Sequence, residues 1–183
     1  KIEYQNAQGD QAVAQSIAES FVSDSKDLIL AIATPTAQAA YNATKEIPVL
    51  ITAVTDPIQA GLAKSLEKSE TNVTGTSDAT PIDKQFALIR ELLPESKKVG
   101  IVYNTSELNS EVQVAQAKVI AQKYGLELVI KGVTSVNDLA QVLDSLLKEV
   151  DVLYTPTDNL IVSATPLVVK KAMENKIPLI GCI

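Results

Sequence analysis

Residues 28–57 read LILAIATPTAQAAYNATKEIPVLITAVTDP, which is two apolar runs separated by an alanine-rich segment. The first run, Leu28–Ala33, ends in a Thr-Pro-Thr turn, and the second, Ile47–Ile51, leads into the polar segment Thr52–Pro57. A short apolar run bounded by turn residues is typical of a strand buried on both faces. Two such strands around one helix form a βαβ unit with parallel strands. Ligands of open α/β sheets bind beyond the carboxyl ends of the strands, so the stretch predicts a fold class and a place for a site.

The same pattern recurs in the second half of the chain. Asp151–Thr157 repeats Asp27–Thr36 with a shorter apolar run, and Asn175–Ile180 repeats Lys45–Leu50 around an Ile-Pro pair. Thr-Pro and Ile-Pro are common pairs, so chance is the competing explanation. Because the order and context are shared as well, we interpret the repeat as two similar lobes that present equivalent loops to a common cleft.

Composition excludes several classes of function. The 183 residues carry a net charge of −6, and no basic patch offers a surface for nucleic acid or anionic lipid. Histidine is absent, which excludes Ser-His-Asp catalysis and histidine-based zinc sites. No glycine-rich phosphate loop follows any predicted strand, and we predict neither a cofactor nor a metal. The single cysteine, Cys182, lies in an apolar segment and is interpreted as a small buried hydrophobe.

Strand and helix patterns alternate along the whole chain, which predicts an α/β fold with parallel sheets. We predict a first lobe over residues 1–77 and a second lobe over residues 78–183. Lys1–Gln5 is predicted to be a half-buried strand of the first lobe, and Gly61–Ser69 a short helix. The segment between the lobes has no helical signal and contains a glycine, so it is the predicted hinge: Thr74, Gly75, Thr76, Ser77 and Asp78.

Polar loops follow the predicted strands at residues 34–36, 52–56, 104–110 and 155–159. Three of these loops lead into helices, whose first N–H groups lack intrahelical partners and can bind a carboxylate. Helix capping explains any one of these residues alone, including Thr34 as the N-cap before Pro35, but the loops together favour a ligand cleft. Asp158 corresponds to the uncharged Ala37 of the first lobe. This asymmetry suits an α-amino acid, whose ammonium needs an anionic acceptor.

Three segments resemble motifs of an ABC-transporter substrate-binding family: ITAVTDP at 51–57, NVTGTSD at 72–78 and YNTSELNS at 103–110. Characterised members of this bacterial family bind aromatic amino acids, tryptophan and tyrosine among them. The resemblance covers essentially the whole chain and implies a type I periplasmic-binding-protein fold, with two Rossmann-like lobes that close on the ligand. It also implies a protein exported by a signal peptide absent from this chain. Such proteins lie in the periplasm or on the outer face of the cell membrane, some as lipoproteins, and work with an ABC permease and ATPase.

A more distant similarity to leucine-type amino-acid binders implies that Ala53 and Thr55 hold the carboxylate and amine of the ligand, near a hydroxyl from Thr36. The complete set of predicted ligand-binding residues is Thr34, Thr36, Ala53, Thr55, Asp56, Asn109, Ser110, Asp158 and Asn159. Members of the family are longer than this chain. The resemblance therefore implies a first strand and helix before Lys1 and further elements after Ile183, so we expect a fold that is incomplete at both ends.

We predict a non-enzymatic solute receptor that binds a small amino acid-like ligand, with an aromatic one favoured by the resemblance. Two alternatives remain open from the sequence. One is a receptor of the same fold for a sugar or another small polar ligand. The other is the effector-binding domain of a transcriptional regulator.

Overall fold

The computed structural model describes residues 1–181 and divides into two compact units, Lys1–Ala79 and Thr80–Ile183. Helices and strands alternate along each unit, and every strand pairing within the described residues is parallel. The predicted α/β class with parallel sheets is therefore confirmed.

The first unit contains α1 (Gln11–Ser23), β1 (Ile29–Ile32), α2 (Thr34–Ala43), β2 (Val49–Val54) and β3 (Val73–Ser77), with the strands in the order β1-β2-β3. Helix α1 begins after Asp10, whose carboxylate accepts hydrogen bonds from the amides of Ala12 and Val13. Alanines at the contact between α1 and α2 allow a close approach of the two helices: Ala14, Ala18 and Ala39.

Strand β1 is buried on one face only, so the predicted burial on both faces is wrong for this strand. Ile29 and Ala31 pack under α2, whereas Leu30 and Ile32 are 55% and 54% exposed. The reason is that α2 and the apolar end of α1 contact the same core cluster, on the Ile29 side of the sheet.

Two further local predictions for the first unit are wrong. Lys1–Gln5 has no regular structure, and Ile2 is 94% exposed, because the segment pairs with no strand among residues 1–181. Residues 61–69 form turns instead of a helix. The Ser65 hydroxyl bonds the backbone of Lys68 in both directions, and such local side-chain bonds compete with helical ones.

The second unit contains α3 (Ile82–Leu92), β4 (Lys98–Asn104), α4 (Leu108–Lys123), β5 (Glu127–Val133), α5 (Val136–Leu146), β6 (Val152–Thr155), α6 (Asn159–Ser163), α7 (Thr165–Asn175) and β7 (Leu179–Gly181). Its sheet has the order β5-β4-β6-β7. Strand β4 is buried on both faces, because Val99 and Ile101 pack with α3 and α4 while Val102 packs with α5. The sequence predicts one helix from the end of β6 to Asn175, but the structure breaks it at Ala164, where Pro166 enters α7 and lacks an N–H group.

Arg90 joins the carboxyl ends of α3 and α4. Its guanidinium donates to the backbone carbonyls of Pro94 (3.1 Å), Ser96 (2.7 Å), Tyr124 (2.7 Å) and Gly125 (2.9 Å). The carbonyls of Pro94, Tyr124 and Gly125 lie just beyond helix ends, where oxygens have no intrahelical donor, and that of Ser96 lies in the loop before β4. Gly125 follows α4 with φ +60°, the left-handed conformation that glycine commonly adopts just after a helix.

The repeat in the sequence is also a repeat in structure. The amide of Ile29 donates to the carbonyl of Pro48 at 3.0 Å, and the amide of Leu153 donates to the carbonyl of Pro178 at 2.9 Å. In both halves the Ile-Pro pair thus sets the parallel register of the following strand. Cys182 lies outside the described residues, so the prediction of its burial stays untested.

Within residues 1–181, no helix combines the length and the apolar character needed to span a membrane.

Candidate ligand-binding site

In the first unit the carboxyl ends of β1 and β2 lie side by side. Ile32 pairs with Thr52, and the amide of Ala33 donates to the carbonyl of Thr52 at 3.0 Å. Because this bond keeps Ala33 in the sheet, α2 begins directly at Thr34 and Ala33 takes the N-cap position. The predicted N-cap role of Thr34 is therefore wrong. Among the described residues no side chain caps α2, so its amino end retains a polar backbone surface.

Two alanines at this edge have backbone angles that alanine rarely adopts. Ala33 has φ +78° and ψ 156°, and Ala53 has φ +54°. The first of these regions is almost restricted to glycine, and such a conformation costs roughly 1–3 kcal/mol unless the surroundings enforce it. Strained residues of this kind concentrate at ligand-binding positions. Ala53 is a predicted ligand-binding residue, whereas Ala33 was not predicted, because no signal in the sequence points to it.

The other predicted residues of the first unit have local partners. The Thr36 hydroxyl donates to the carbonyls of Ile32 and Ala33, within the first turn of α2. Thr55 is 7% exposed, and its carbonyl accepts from the Ser77 hydroxyl at 2.9 Å. Asp56 accepts from the amides of Ile58 (3.0 Å) and Gln59 (2.9 Å), which is an Asx turn. Capping thus explains Asp56 without a ligand.

The predicted hinge residues lie at the end of the first unit, and Thr74–Ser77 belong to β3. Gly75 has φ +149°, and a Cβ atom there would lie 2.0 Å from the carbonyl oxygen of Ile51. Glycine is therefore required at this position by the contact with β2. The role of residues 74–78 as a hinge stays a prediction.

In the second unit the loops that follow β4 and β6 are neighbours, because these strands pair through Ile101 and Tyr154. The loops contribute to one hydrogen-bonded network of polar side chains, which are buried except for the exposed Asn159. All predicted residues of this unit belong to the network: Asn109, Ser110, Asp158 and Asn159. The structure thus brings these four residues together, and their role in ligand binding stays a prediction.

Asp158 is completely buried and has protein partners for both oxygens. Its Oδ2 accepts from the amide of Asn104 (2.6 Å) and the hydroxyl of Ser110 (2.7 Å), and its Oδ1 accepts from the amide of Ile161 (2.9 Å) as the N-cap of α6. Burial raises the pKa of the Asp158 carboxyl, and nearby Glu107 adds to the rise, whereas the three hydrogen bonds act against it.

Glu107, in the loop after β4, also accepts hydrogen bonds from the amino end of α6. Its Oε1 accepts from the amide of Leu160 (3.2 Å) and from Asn104 Nδ2 (3.0 Å), and its Oε2 accepts from the amide of Asn159 (3.1 Å). The first amides of α6 are therefore bonded to two carboxylates of the protein. The expectation that these amides are unpaired and open to an anion is wrong for α6, because Glu107 and Asp158 accept their hydrogen bonds. The bonds to Glu107 were not predicted, since this residue lies far from α6 in sequence.

Asn109 and Gln113, one turn apart on α4, contact the backbone after β6. Asn109 Nδ2 donates to the carbonyl of Thr157 at 2.9 Å, while Gln113 bonds both the amide and the carbonyl of that residue. Asn109 Oδ1 is buried and has no hydrogen-bond partner among the described residues. Gln113 was missed by sequence reasoning, although a glutamine beside Val114 and Ala117 on the apolar face of a helix is a usable signal.

Within residues 1–181, no group of three or more His, Cys, Asp or Glu side chains is arranged to hold a metal ion.

Comparison with known proteins gives a consistent picture. A family model described as ABC transporter substrate binding protein matches residues 1–182. The curated tyrosine-binding protein of Clostridioides difficile (strain R20291) is 57% identical over 181 residues, which are 99% of this chain and 52% of that protein. The chain therefore spans about half the length of the curated relative it matches.

Solved structures are similar over the same range. The ABC domain from Streptococcus pneumonia in complex with L-Trp is 39% identical with a TM-score of 0.96, and the match covers 100% of this chain and 62% of that one. A ligand-free, open substrate-binding protein with adhesive properties from Clostridium difficile is 55% identical with a TM-score of 0.63. That match covers 99% of this chain and 61% of that one.

Proposed function

The chain belongs to the ABC transporter substrate-binding protein family and has the α/β fold of type I periplasmic binding proteins, and from this premise we propose that it is a receptor for an aromatic α-amino acid. The relatives support this ligand class, since one is a tyrosine-binding protein and another was solved with L-Trp. The ligand binds in a cleft between the two lobes, and the protein performs no chemical reaction on it.

The ligand carboxylate is assigned to the first unit. The observation that carries this assignment is the amino end of α2, which no described side chain caps and which directly follows the strained residue Ala33. A helix amino end offers N–H donors and a partial positive charge to an anion. Ala53, also strained, lies next to the last residue of the neighbouring strand β2, and Thr55 directly follows that strand.

The ligand ammonium is assigned to the second unit. Glu107 and Asp158 are 5% and 0% exposed, and among the described residues neither forms a salt bridge with a lysine or arginine. Two buried carboxylates without a cation are costly, and a bound ammonium offsets that cost. Asn109 Oδ1 adds an acceptor whose hydrogen bond is not made by the described residues. Asp158 remains the predicted charge partner, together with Asn159 and Ser110 around it.

The receptor delivers its ligand to an ABC permease driven by an ATPase. It therefore acts on the extracytoplasmic side of the membrane, as a periplasmic or lipid-anchored protein. These partners and this location follow from the family and are part of the proposal.

Calorimetric titration of the intact protein tests the ligand class. We expect binding of L-Tyr, L-Trp or L-Phe, and binding weaker by about ten- to a hundredfold for tryptamine, which lacks the carboxylate, and for indole-3-propionate, which lacks the amine. Thr55→Val should weaken binding of the amino acid while leaving tryptamine binding unchanged. Equal affinity for all three indole compounds, or binding of a sugar with no response to amino acids, would overturn the proposal.

A further inference from the structure

We propose that Gln113 is a positioning residue for ligand binding: its side-chain amide pairs with the backbone of Thr157 and so sets the course of the loop that carries Asp158 and Asn159. The inference rests on the proposed function, because it concerns the geometry of the same site. Gln113 itself does not contact the ligand in this proposal.

The contacts resemble the pairing of a peptide group in a sheet. Gln113 Oε1 accepts from the amide of Thr157 at 3.1 Å, and Gln113 Nε2 donates to the carbonyl of Thr157 at 3.2 Å. The second hydrogen of Nε2 goes to the carbonyl of Asn109, also at 3.2 Å. The side chain is 1% exposed, and both its oxygen and its NH₂ group form hydrogen bonds with the protein.

The backbone that follows β6 has no neighbouring strand to pair with, so it needs hydrogen-bond partners from side chains. Strand β6 pairs with β4 up to Tyr154 and with β7 up to Thr155, and within residues 1–181 these ladders extend no further. Pro156 has no N–H group to donate. Thr157 thus lies beyond the sheet edge, where its carbonyl accepts from Asn109 as well as Gln113, while its amide donates to Gln113. In this proposal the bond between the Thr157 amide and Gln113 sets the direction in which Asp158 leaves the sheet.

Gln113→Glu tests the inference, because the change keeps the shape and exchanges the donor Nε2 for an oxygen. A carboxylate would face the carbonyls of Thr157 and Asn109, and it would share the interior with Glu107 and Asp158. When that carboxyl is protonated, its O–H restores the donor. Burial and the two acidic neighbours favour protonation well above the pH at which an ordinary glutamate takes up a proton.

The measurement is the affinity of the intact protein for L-Tyr and L-Trp at pH 8 and pH 5, with Gln116→Glu as the matched control on the exposed face of α4. We expect Gln113→Glu to bind about ten- to a hundredfold more weakly than the control at pH 8 and to recover most of this loss at pH 5. Gln113→Met, which has neither donor nor acceptor, should be weak at both pH values. A purely structural role would lower the melting temperature without a pH-dependent recovery of affinity.

Amide hydrogen exchange of residues 157–161 gives a second readout that needs no ligand. Protection of this segment in Gln113→Glu should be lost at pH 8 relative to Gln116→Glu and return at pH 5. If wild-type protein binds neither amino acid but exchange follows this pattern, the proposed ligand class fails and the positioning role of Gln113 stands. If affinity and exchange of Gln113→Glu equal those of the control at both pH values, the inference is overturned.

Discussion

Replacing Asp158 with asparagine should destabilise the protein, although the two side chains have the same shape. The carboxylate accepts from the amides of Asn104 and Ile161 and from the hydroxyl of Ser110. Asparagine offers one oxygen, so its NH₂ group must face one of the two amides, while the Ser110 hydroxyl can turn and accept. A buried N–H left unpaired costs about 1–3 kcal/mol.

Removing the buried charge beside Glu107 offsets part of this cost. We expect a net loss of about 1–2 kcal/mol in the free energy of unfolding at neutral pH, or a melting temperature lower by roughly 2–8 °C for a chain of this size. The pKa of Asp158 is raised in the folded protein, so the wild type loses stability as the pH rises from about 3.9, the usual aspartate value, through the raised value. Asparagine does not titrate in this window. The advantage of the wild type over Asp158→Asn should therefore be larger at pH 5 than at pH 8.

Urea unfolding of the intact wild type and variant at both pH values measures the effect. Asp27→Asn serves as the control, because Asp27 is exposed. Equal stability of Asp158→Asn and wild type at both pH values would refute the capping argument. Titration of the same variant with L-Tyr then separates the roles of Asp158. Weaker binding by about ten- to several-hundredfold is expected if its charge receives the ammonium, and unchanged binding would exclude that contact.

The remaining predictions concern a close contact at Gly75, the hydrogen bonds of Arg90 and the pH dependence of Asp151. Gly75→Ala should destabilise the protein by roughly 3 kcal/mol or more in urea unfolding, because its Cβ would lie 2.0 Å from Ile51 O. Gly61→Ala is the control, because Gly61 also has a positive φ (+73°) but has no atom within 4 Å of the added Cβ. The difference between the two variants therefore measures the effect of the clash apart from that of the backbone strain. Arg90→Lys should speed amide exchange at the ends of α3 and α4, because an ammonium cannot reach all four carbonyls that the guanidinium bonds. Hydrogen bonds from the amides of Lys98 and Lys97 lower the pKa of Asp151 in the folded protein. The ionised Asp151 therefore stabilises the folded state above the usual aspartate pKa, and this stabilisation is lost as the pH falls through the lowered value. The difference in melting temperature between wild type and Asp151→Asn should accordingly narrow from pH 7 to pH 3, and a constant difference would contradict this assignment.

The sequence predicted the fold well wherever the signal was local and periodic. The apolar runs before Thr34 and around Pro48 and Pro178 became parallel strands. The failures at Lys1–Gln5 and on the exposed face of β1 have one cause. Both predictions assumed a covering partner, and the pattern of a strand carries no information on whether that partner is present.

The site was predicted as a cluster of residues but not as a set of contacts. Rules for helix capping look a few residues along the chain, whereas Glu107 bonds the amide of Asn159 from 52 residues away. Asp158 was chosen for its charge, and the structure adds that this charge already holds Asn104 and Ile161 in place. Strain at Ala33 was not predictable, because alanine gives no hint of a positive φ.

The buried pair of Glu107 and Asp158 has a consequence for the conditions in which the protein can work. Dissolved ions screen exposed charges beyond roughly 8–10 Å at moderate salt, but they screen charges inside a protein much less. Surface ion pairs such as Lys123 with Asp83, whose side chains are 61% and 50% exposed, weaken as ionic strength rises. In the proposed ammonium site, the attraction of this interior pair for a cationic ligand group should therefore persist when ionic strength rises, so the proposed receptor should retain its ligand over a wide range of salt concentrations.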